Sequence, residues 1–529
     1  MLQLNRSVTS SAPLAQTRLL LATIAGAAIG TAGLVGTAQA QSRWVRFIAT
    51  ELETQATALP TAVPSTIDAL LQGRISASPN GQYWSMQVLS LENGVTSRAA
   101  ISGTKQGVDF AVSRLQTMPP LGVAFEASAS GLDTEVLVNN AGDVSISGNL
   151  QLTTTNNDEA IVLYRRSDQT YSFIAREGSP IPGLTGENYG GSLDQKTLFN
   201  DGRLLYRDTG TVGSLPSAQD EFLFIAGANG SGHQRFAQAG VLVPTGQTGT
   251  PVALQNLQLG YGATPDGSQY ITRAILTRPA PNVVAIRNGA IQLELGQALP
   301  GAAVPTPAFS TAVTITDAGM GPSGDWWISG RGITGGAPWL IANGQIVFTS
   351  DADFPGGLPG ERVSNIASVN FTTRGDLCYT VSTGTGRSAA IVLPAGGGAP
   401  ITALQTGDAQ DLNNNGDPTD DAFNLSAIFN AWLCDDGTLY VNTRVNTVGD
   451  IIGWVPVTLP CGPSDIASPG PTPGADGELT ADDVIQFISW FTASDANADI
   501  AGPGPTPGPD GEFTADDVIL FIGRFTTGC

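Results

Sequence analysis

The eight residues Phe199 to Tyr206 read FNDGRLLY: a polar turn closed by Gly202, with apolar residues on either side. Asn, Asp and Gly in that order supply the backbone freedom and local hydrogen bonds of a tight connection between two strands. The same arrangement returns as SPNGQYW, NNAGDVSIS, TPDGSQYI, PSGDWWIS, TTRGDLCYT and CDDGTLYV. Gly81, Gly142, Gly202, Gly267, Gly324, Gly375 and Gly437 mark the turns, at spacings of 61, 60, 65, 57, 51 and 62 residues. Turns at so even a spacing are the signature of a repeat architecture.

A second landmark follows each turn by some thirty residues, an apolar strand that runs into a polar stretch and a proline. It is clearest in FIAREGSPIPG from Phe173, LELGQALPG from Leu293 and VFTSDADFPG from Val347, and looser from Phe110, Phe236 and Ile401. One further copy, FIATELETQATALP from Phe47, precedes the first turn, and the seventh turn has no copy after it. Each unit therefore supplies four strands except the last, and Trp44 to Ile48 supplies the missing outer one. A ring that closes with strands from both chain ends leaves no exposed sheet edge. The reading is a mainly β chain, a seven-bladed β-propeller-like body over residues 41–460, followed by a small α module over 461–529. An irregular β-solenoid or two sandwiches is the alternative, because 50 to 65 residues is long for one blade.

Composition agrees with many short strands joined by turns: 65 Gly and 34 Pro against 24 Lys plus Arg. The first forty residues carry Arg6 and Arg18, an apolar run from Leu19 to Val35, and Ala38-Gln39-Ala40. That is the layout of a secretory signal cleaved before Gln41, with an uncleaved membrane anchor as the alternative. No later segment has the length of an apolar membrane span, so export or surface location without a span is expected. The formal charge of −22 becomes −24 when Arg6 and Arg18 leave. So acidic a chain repels nucleic acid and anionic lipid and favours calcium as a partner.

Four cysteines in an exported chain favour two disulfides, and three connectivities are open. Cys378 lies three residues after one turn glycine and Cys434 three before the next, so neighbouring blades bring them together. Cys461 and Cys529 bracket the C-terminal module and would clasp it, worth about 4 kcal/mol by loop entropy.

That module is a duplication: GELTADDVIQFISWF from Gly477 returns as GEFTADDVILFIGRF from Gly511, an offset of 34 residues. Thr480 and Thr514 are N-caps, with Asp483 and Asp517 as the acidic halves of capping boxes. Val484, Ile485, Phe487, Ile488 and Phe491, and their counterparts 34 residues on, cover too much of each helix to be buried alone, so each helix packs on its twin.

The module resembles a dockerin, and more narrowly the divergent anchors of exported planctomycete-type proteins that end in Gly-Cys, as Gly528-Cys529 does here. The resemblance implies two loop-helix halves that bind calcium and dock on a cohesin-like or cell-surface protein. Carried over by position, it makes Asp495, Asn497, Asp510 and Asp517 the oxygen ligands of the second half. In the first half Cys461 and Pro463 replace the first two, leaving Asp465, Asp476 and Asp483. The body is similar to a family of exported planctomycete proteins with elements like VNNAGDVSIS and IAREGSPIPG, a resemblance that carries no activity.

A separate stretch, DLNNNGDPTDD, alternates Asp411, Asn413, Asn415 and Asp417 around Gly416, the pattern with which a short loop wraps calcium. Ala422 stands at the twelfth position, so Asp420 or Asp421 would complete the shell.

No catalytic constellation is evident. His233 is the single histidine, which excludes a histidine-rich metal site, and a solvated loop position is expected for it. Trp326 and Trp327 are adjacent, point to opposite faces of a blade, and are expected in the core. The functional expectation is an exported non-catalytic propeller that presents a binding face to an unidentified ligand and is anchored through its tail. The alternative is a polysaccharide-active enzyme, a glycoside hydrolase or lyase, which calls for acids 5 to 10 Å apart in the central channel. A surface-layer role that self-assembles is the third.

Overall fold

The computed structural model describes residues 44–527 apart from 52–56, 62–64, 71–73, 114–115, 127–131, 152–157, 191, 244–250, 278–281, 295–312, 333–337, 349–353, 355–359, 396–399, 412–416, 418–422, 447, 460–463, 469, 471, 475–477, 503–505 and 508–510. The expected signal segment, Asn413, Asn415, Asp476, Asp510, Cys461 and Cys529 lie outside the described residues. Among the described residues no helix is long and apolar enough to cross a membrane.

The repeats fold into seven antiparallel sheets, the blades of a β-propeller, five of them four-stranded, with blade 4 extended by Leu242–Val243 and blade 1 by Ala58–Leu59 and a broken inner strand. Strands are lettered a to d from the central channel outward. In blade 3 they are Leu193–Leu198, Leu204–Thr209, Glu221–Ala226 and Gln234–Gln238. In blade 1, strand a is broken into Ser65–Ala69 and Ser76–Ala77, and Trp84–Glu92, Val95–Thr104 and Gly107–Ser113 follow. Blades 2, 4, 5 and 6 span Leu132 to Arg176, Val252 to Glu294, Val313 to Phe348 and Val363 to Gln405. Blade 7 takes strands a to c from Leu425–Leu433, Thr438–Val445 and Gly449–Pro456, and strand d from Arg46–Thr50 near the other end of the chain. Arg46 pairs with Trp454 and Thr50 with Ile451, so the ring closes as expected, two residues further along than Trp44 to Ile48.

The turn glycines all join strand a to strand b. In every one the glycine N–H donates to the carbonyl three residues back, from Gly81 to Ser78 at 2.9 Å through Gly437 to Cys434 at 3.1 Å. Their φ angles lie between +68° and +93°, a region in which only glycine is free of strain. The turns are also tied to one another. Asp435 N–H donates to Pro79 O (2.7 Å), Asn80 N–H to Asn140 Oδ1 (2.9 Å), Asn140 N–H to Asn200 Oδ1 (3.0 Å) and Thr373 N–H to Asp435 Oδ1 (2.7 Å). With Arg203 Nη2 on Pro265 O (2.7 Å), these bonds run from blade 6 through blades 7 and 1 to blade 4.

Between each pair of neighbouring blades lies one apolar cluster. Alternate residues of one strand serve the two sides: Leu204 and Tyr206 pack toward blade 2, and Leu205 toward blade 4. A strand covered on both faces reads as an unbroken apolar run, and LLY and FLFIA in blade 3 do. Trp326 and Trp327 enter different clusters, as the sequence predicts, and both are buried.

The expected Cys378–Cys434 disulfide is not formed; both are free, buried thiols. They are on neighbouring blades, but Cys378 packs in the core between blades 6 and 7 and Cys434 in the core between blades 7 and 1. Burial, eased by the Leu433 backbone, pushes the Cys378 thiol up to about 12.

The C-terminal module has two helices, α1 (Ala481–Thr492) and α2 (Ala515–Thr527). Asp483 and Asp517 are fully buried and play identical parts. Asp483 Oδ1 accepts the Ile466 and Ala467 N–H groups at 2.7 and 2.8 Å, and its Oδ2 accepts Thr480 N–H at 2.8 Å. Asp517 does the same for Ile500, Ala501 and Thr514 at 2.8, 2.9 and 2.8 Å. Phe487 and Phe521, equivalent in the duplication, stack face to face with centroids 4.1 Å apart and planes 8° from parallel. The helices do pair on their twins, but over a narrower stripe than the sequence suggests. Ile485, Ile488, Ile519 and Ile522 stay 50 to 55% exposed.

Candidate functional site

The inner strands converge on a channel whose cavity has a volume of about 650 Å3. Counting seven residues back from each turn glycine gives one layer of it: Arg74, Glu135, Gln195, Gly260, Asp317, Ser368 and Asn430. These positions share a level because all the inner strands run into the same turn. Polar atoms of the layer sew neighbouring blades together. Gln195 Nε2 donates to Glu135 O, Ser368 Oγ to Ala431 O (3.1 Å), and Asn430 Oδ1 accepts Ile75 N–H (3.0 Å). Gly260, at φ +99°, brings blade 4 against blade 5, where a Cβ would fall 2.9 Å from Asp317 Oδ1.

Across this layer reaches the Arg74 guanidinium. It donates to Glu135 Oε1 at 3.2 Å on blade 2 and to Asp317 Oδ2 at 3.1 Å on blade 5. One guanidinium spans both carboxylates, so they stand within about 9 Å of each other. Asp317 also accepts the Ala318 N–H (2.9 Å) and faces Lys196 Nζ at 3.9 Å. Burial alone would raise the Asp317 carboxyl, but Lys196, Arg74 and the Ala318 N–H outweigh it and hold it below the usual carboxylate range. Beside them Arg207 donates twice to Asp194 Oδ2, at 3.1 and 2.5 Å, and Tyr261 OH donates to Asp194 O at 2.6 Å.

Two arginines of the cavity wall are different. Arg273 donates from Nη1 to the Leu259 and Thr316 carbonyls (3.4 and 3.2 Å), while its buried Nε has no hydrogen-bond partner. Arg331, exposed at the wall, donates to Asn365 Oδ1. Neither has a carboxylate within ion-pair distance among the described residues.

Of the metal positions expected from sequence, Asp411, Asp417, Asp465, Asp483, Asp495, Asn497 and Asp517 are described and Asn413, Asn415, Asp476 and Asp510 are not. Among the described residues no group of three or more His, Cys, Asp or Glu is arranged to hold an ion. Asp483 and Asp517, expected as the last calcium ligands of the two halves, are turned inward onto three backbone N–H groups each. Asp495 Oδ1 accepts from Asn497 N and Nδ2, both at 3.0 Å, the geometry of a local cap. Asp465 is buried; Asp411 is buried and Asp417 exposed, on opposite sides of residues outside the description. His233 is not solvated as expected. Its ring packs on Phe224 at 4.8 Å between centroids, and burial, with Arg235, lowers its pKa.

The fold and channel define a seven-bladed β-propeller with an ion-paired polar layer. No family model and no curated protein matches the chain. Solved structures similar to it include prolyl oligopeptidase B from Galerina marginata (TM-score 0.36, 10% identity, covering 72% of this chain and 46% of that one). The polysaccharide lyase Uly1 is similar over 79% of this chain and 98% of its own (TM-score 0.36, 11% identity). A lectin from Aleuria aurantia in complex with alpha-methyl-L-fucoside is similar over 64% and 97% (TM-score 0.27, 14% identity). The chain spans about half the length of the peptidase it matches. These likenesses extend to the fold alone.

Sequence reading missed the polar layer. Its signal is a charged or amide residue seven positions before most of the turn glycines, in stretches that otherwise differ from repeat to repeat.

Proposed function

We propose that the protein is an exported, non-catalytic propeller that holds a ligand in its channel and attaches to a protein partner through its C-terminal helix pair. The observation that supports it is the state of the channel acids. Glu135 and Asp317 stand at a separation glycosidases use, yet both are engaged by Arg74. A general acid must keep its proton at working pH, and Asp317 is biased the opposite way. The tail supports attachment, since it repeats the same exposed isoleucine pair on both helices. Its resemblance to dockerins points to a cohesin-like or cell-surface protein as the partner.

Two measurements on the secreted full chain test this. Retention on the producing cells should drop when Ile485, Ile488, Ile519 and Ile522 are all changed to Ser, and unchanged retention would remove the attachment role. The enzyme reading, favoured by the Glu135–Asp317 separation, predicts depolymerisation of polysaccharides that is lost in Glu135→Gln. New reducing ends or unsaturated products would replace the binding role with catalysis.

A further inference from the structure

We infer that the ligand of the channel carries an oxyanion, a carboxylate or sulfate on a molecule of sugar size, and that Arg273 and Arg331 receive it. This rests on the binding role proposed above and names the chemistry of that site.

The inference follows from which charges are already answered. The channel's acids have partners: Glu135 and Asp317 on Arg74, Asp194 on Arg207. Asp435 sits at the far end, in the ring of turns, and accepts the Thr373 N–H. What remains unanswered on the cavity wall is positive. Arg273 and Arg331 lie on strand b of adjacent blades, six and seven residues after Gly267 and Gly324, Arg273 at the middle of its strand and Arg331 near the end away from the turn. Arg273 sees Asp317 at a distance, but its guanidinium donates to backbone carbonyls, those of Leu259 and Thr316, and its Nε–H is buried without an acceptor among the described residues. A guanidinium left so is short of acceptors, and a bidentate carboxylate or sulfate is the group whose shape meets its fork. In a chain of net charge −22, two arginines at one cavity wall with no carboxylate at ion-pair distance among the described residues are a local positive feature that draws an anion inward. The cavity, at about 650 Å3, has the size of small-molecule sites, and the half-buried Trp432 in its wall offers a flat apolar surface.

The test uses the full chain and calorimetric titration with trigalacturonate, its uncharged methyl ester, and galactose 6-sulfate. The expected result is binding of at least one charged probe, at least tenfold tighter than the ester, weakened by salt and reduced tenfold or more in Arg273→Gln and in Arg331→Gln. Which charged probe binds tells carboxylate from sulfate. Arg331 is exposed, so its variant folds, and thermal unfolding of both variants is recorded alongside. Equal binding of acid and ester, lost in Trp432→Ala, would overturn the anion assignment and leave the channel a binding site. Binding of an anion that both arginine variants retain would overturn the assignment of these residues. No heat with any probe would overturn the assignment and the channel's binding role together.

Discussion

Asp208, on strand b of blade 3, is fully buried with no cation at ion-pair distance among the described residues; both of its oxygens face Gly190 N–H at 3.2 and 3.4 Å. Burial pushes its pKa up to about 8, the Gly190 N–H works against this, and Glu159, Asp220 and Glu177 add to it. The folded chain then keeps this proton to about pH 8, while the unfolded chain loses it near about pH 4. Between those values the folded state binds more protons, so stability falls as pH rises and levels off above the folded pKa. Urea midpoints at pH 5 and pH 8 should show that fall, and Asp208→Asn should flatten it; an unchanged difference would mean other groups carry it. Gly260 offers a second test at this scale. Ala there is strained at φ +99° and meets Ala318 N at 2.8 Å, so Gly260→Ala should cost about 1 to 3 kcal/mol in urea unfolding. A neutral substitution would show that blades 4 and 5 have room to part. Single residues of this kind were the least legible in the sequence. Gly260 reads like any strand glycine until the neighbouring Asp317 is known, and a buried Asp208 reads like a surface one.

The elements were legible because six of the seven units had two independent signals, a turn glycine and an outer strand running into proline. Trp44 to Ile48 was assigned from the missing copy after the seventh turn, and the observed strand overlaps it. The helix pair was legible for the same reason of repetition, but the width of its interface was not, since an apolar position on a helix does not say what covers it. The buried carboxylates carry two readings in the sequence, and the structure displays the cap. A DD pair at a helix start fits a capping box and the end of a calcium loop equally, and in both halves the third helical residue turns inward as a cap. Asp483→Ala or Asp517→Ala should therefore leave three backbone N–H groups unanswered and cost about 1 to 3 kcal/mol, read as lost helical circular dichroism on urea titration. The same signal should be indifferent to a calcium chelator. Helix loss on chelation would restore the calcium loops.

Across the whole molecule the ring is the unit of stability, because each apolar cluster among the blades belongs to two of them and none to one. Deleting residues 44–50 should remove the outer strand of blade 7, bare the edge of Gly449–Pro456, and expose the molecule to edge-to-edge association. Size-exclusion chromatography should find oligomers or a lowered melting temperature; a monomer of unchanged melting temperature would mean the closing strand is dispensable. The seam has a mechanical side as well. A tensile load applied to the chain beyond Pro456 arrives first at Gly449–Pro456, which is hydrogen bonded along one edge to Thr438–Val445 and along the other to Arg46–Thr50. A strand gripped on both sides must be sheared from two ladders at once, where an edge strand would peel from one. The strand Arg46–Thr50 thus adds a second ladder that any load on the chain beyond Pro456 has to break.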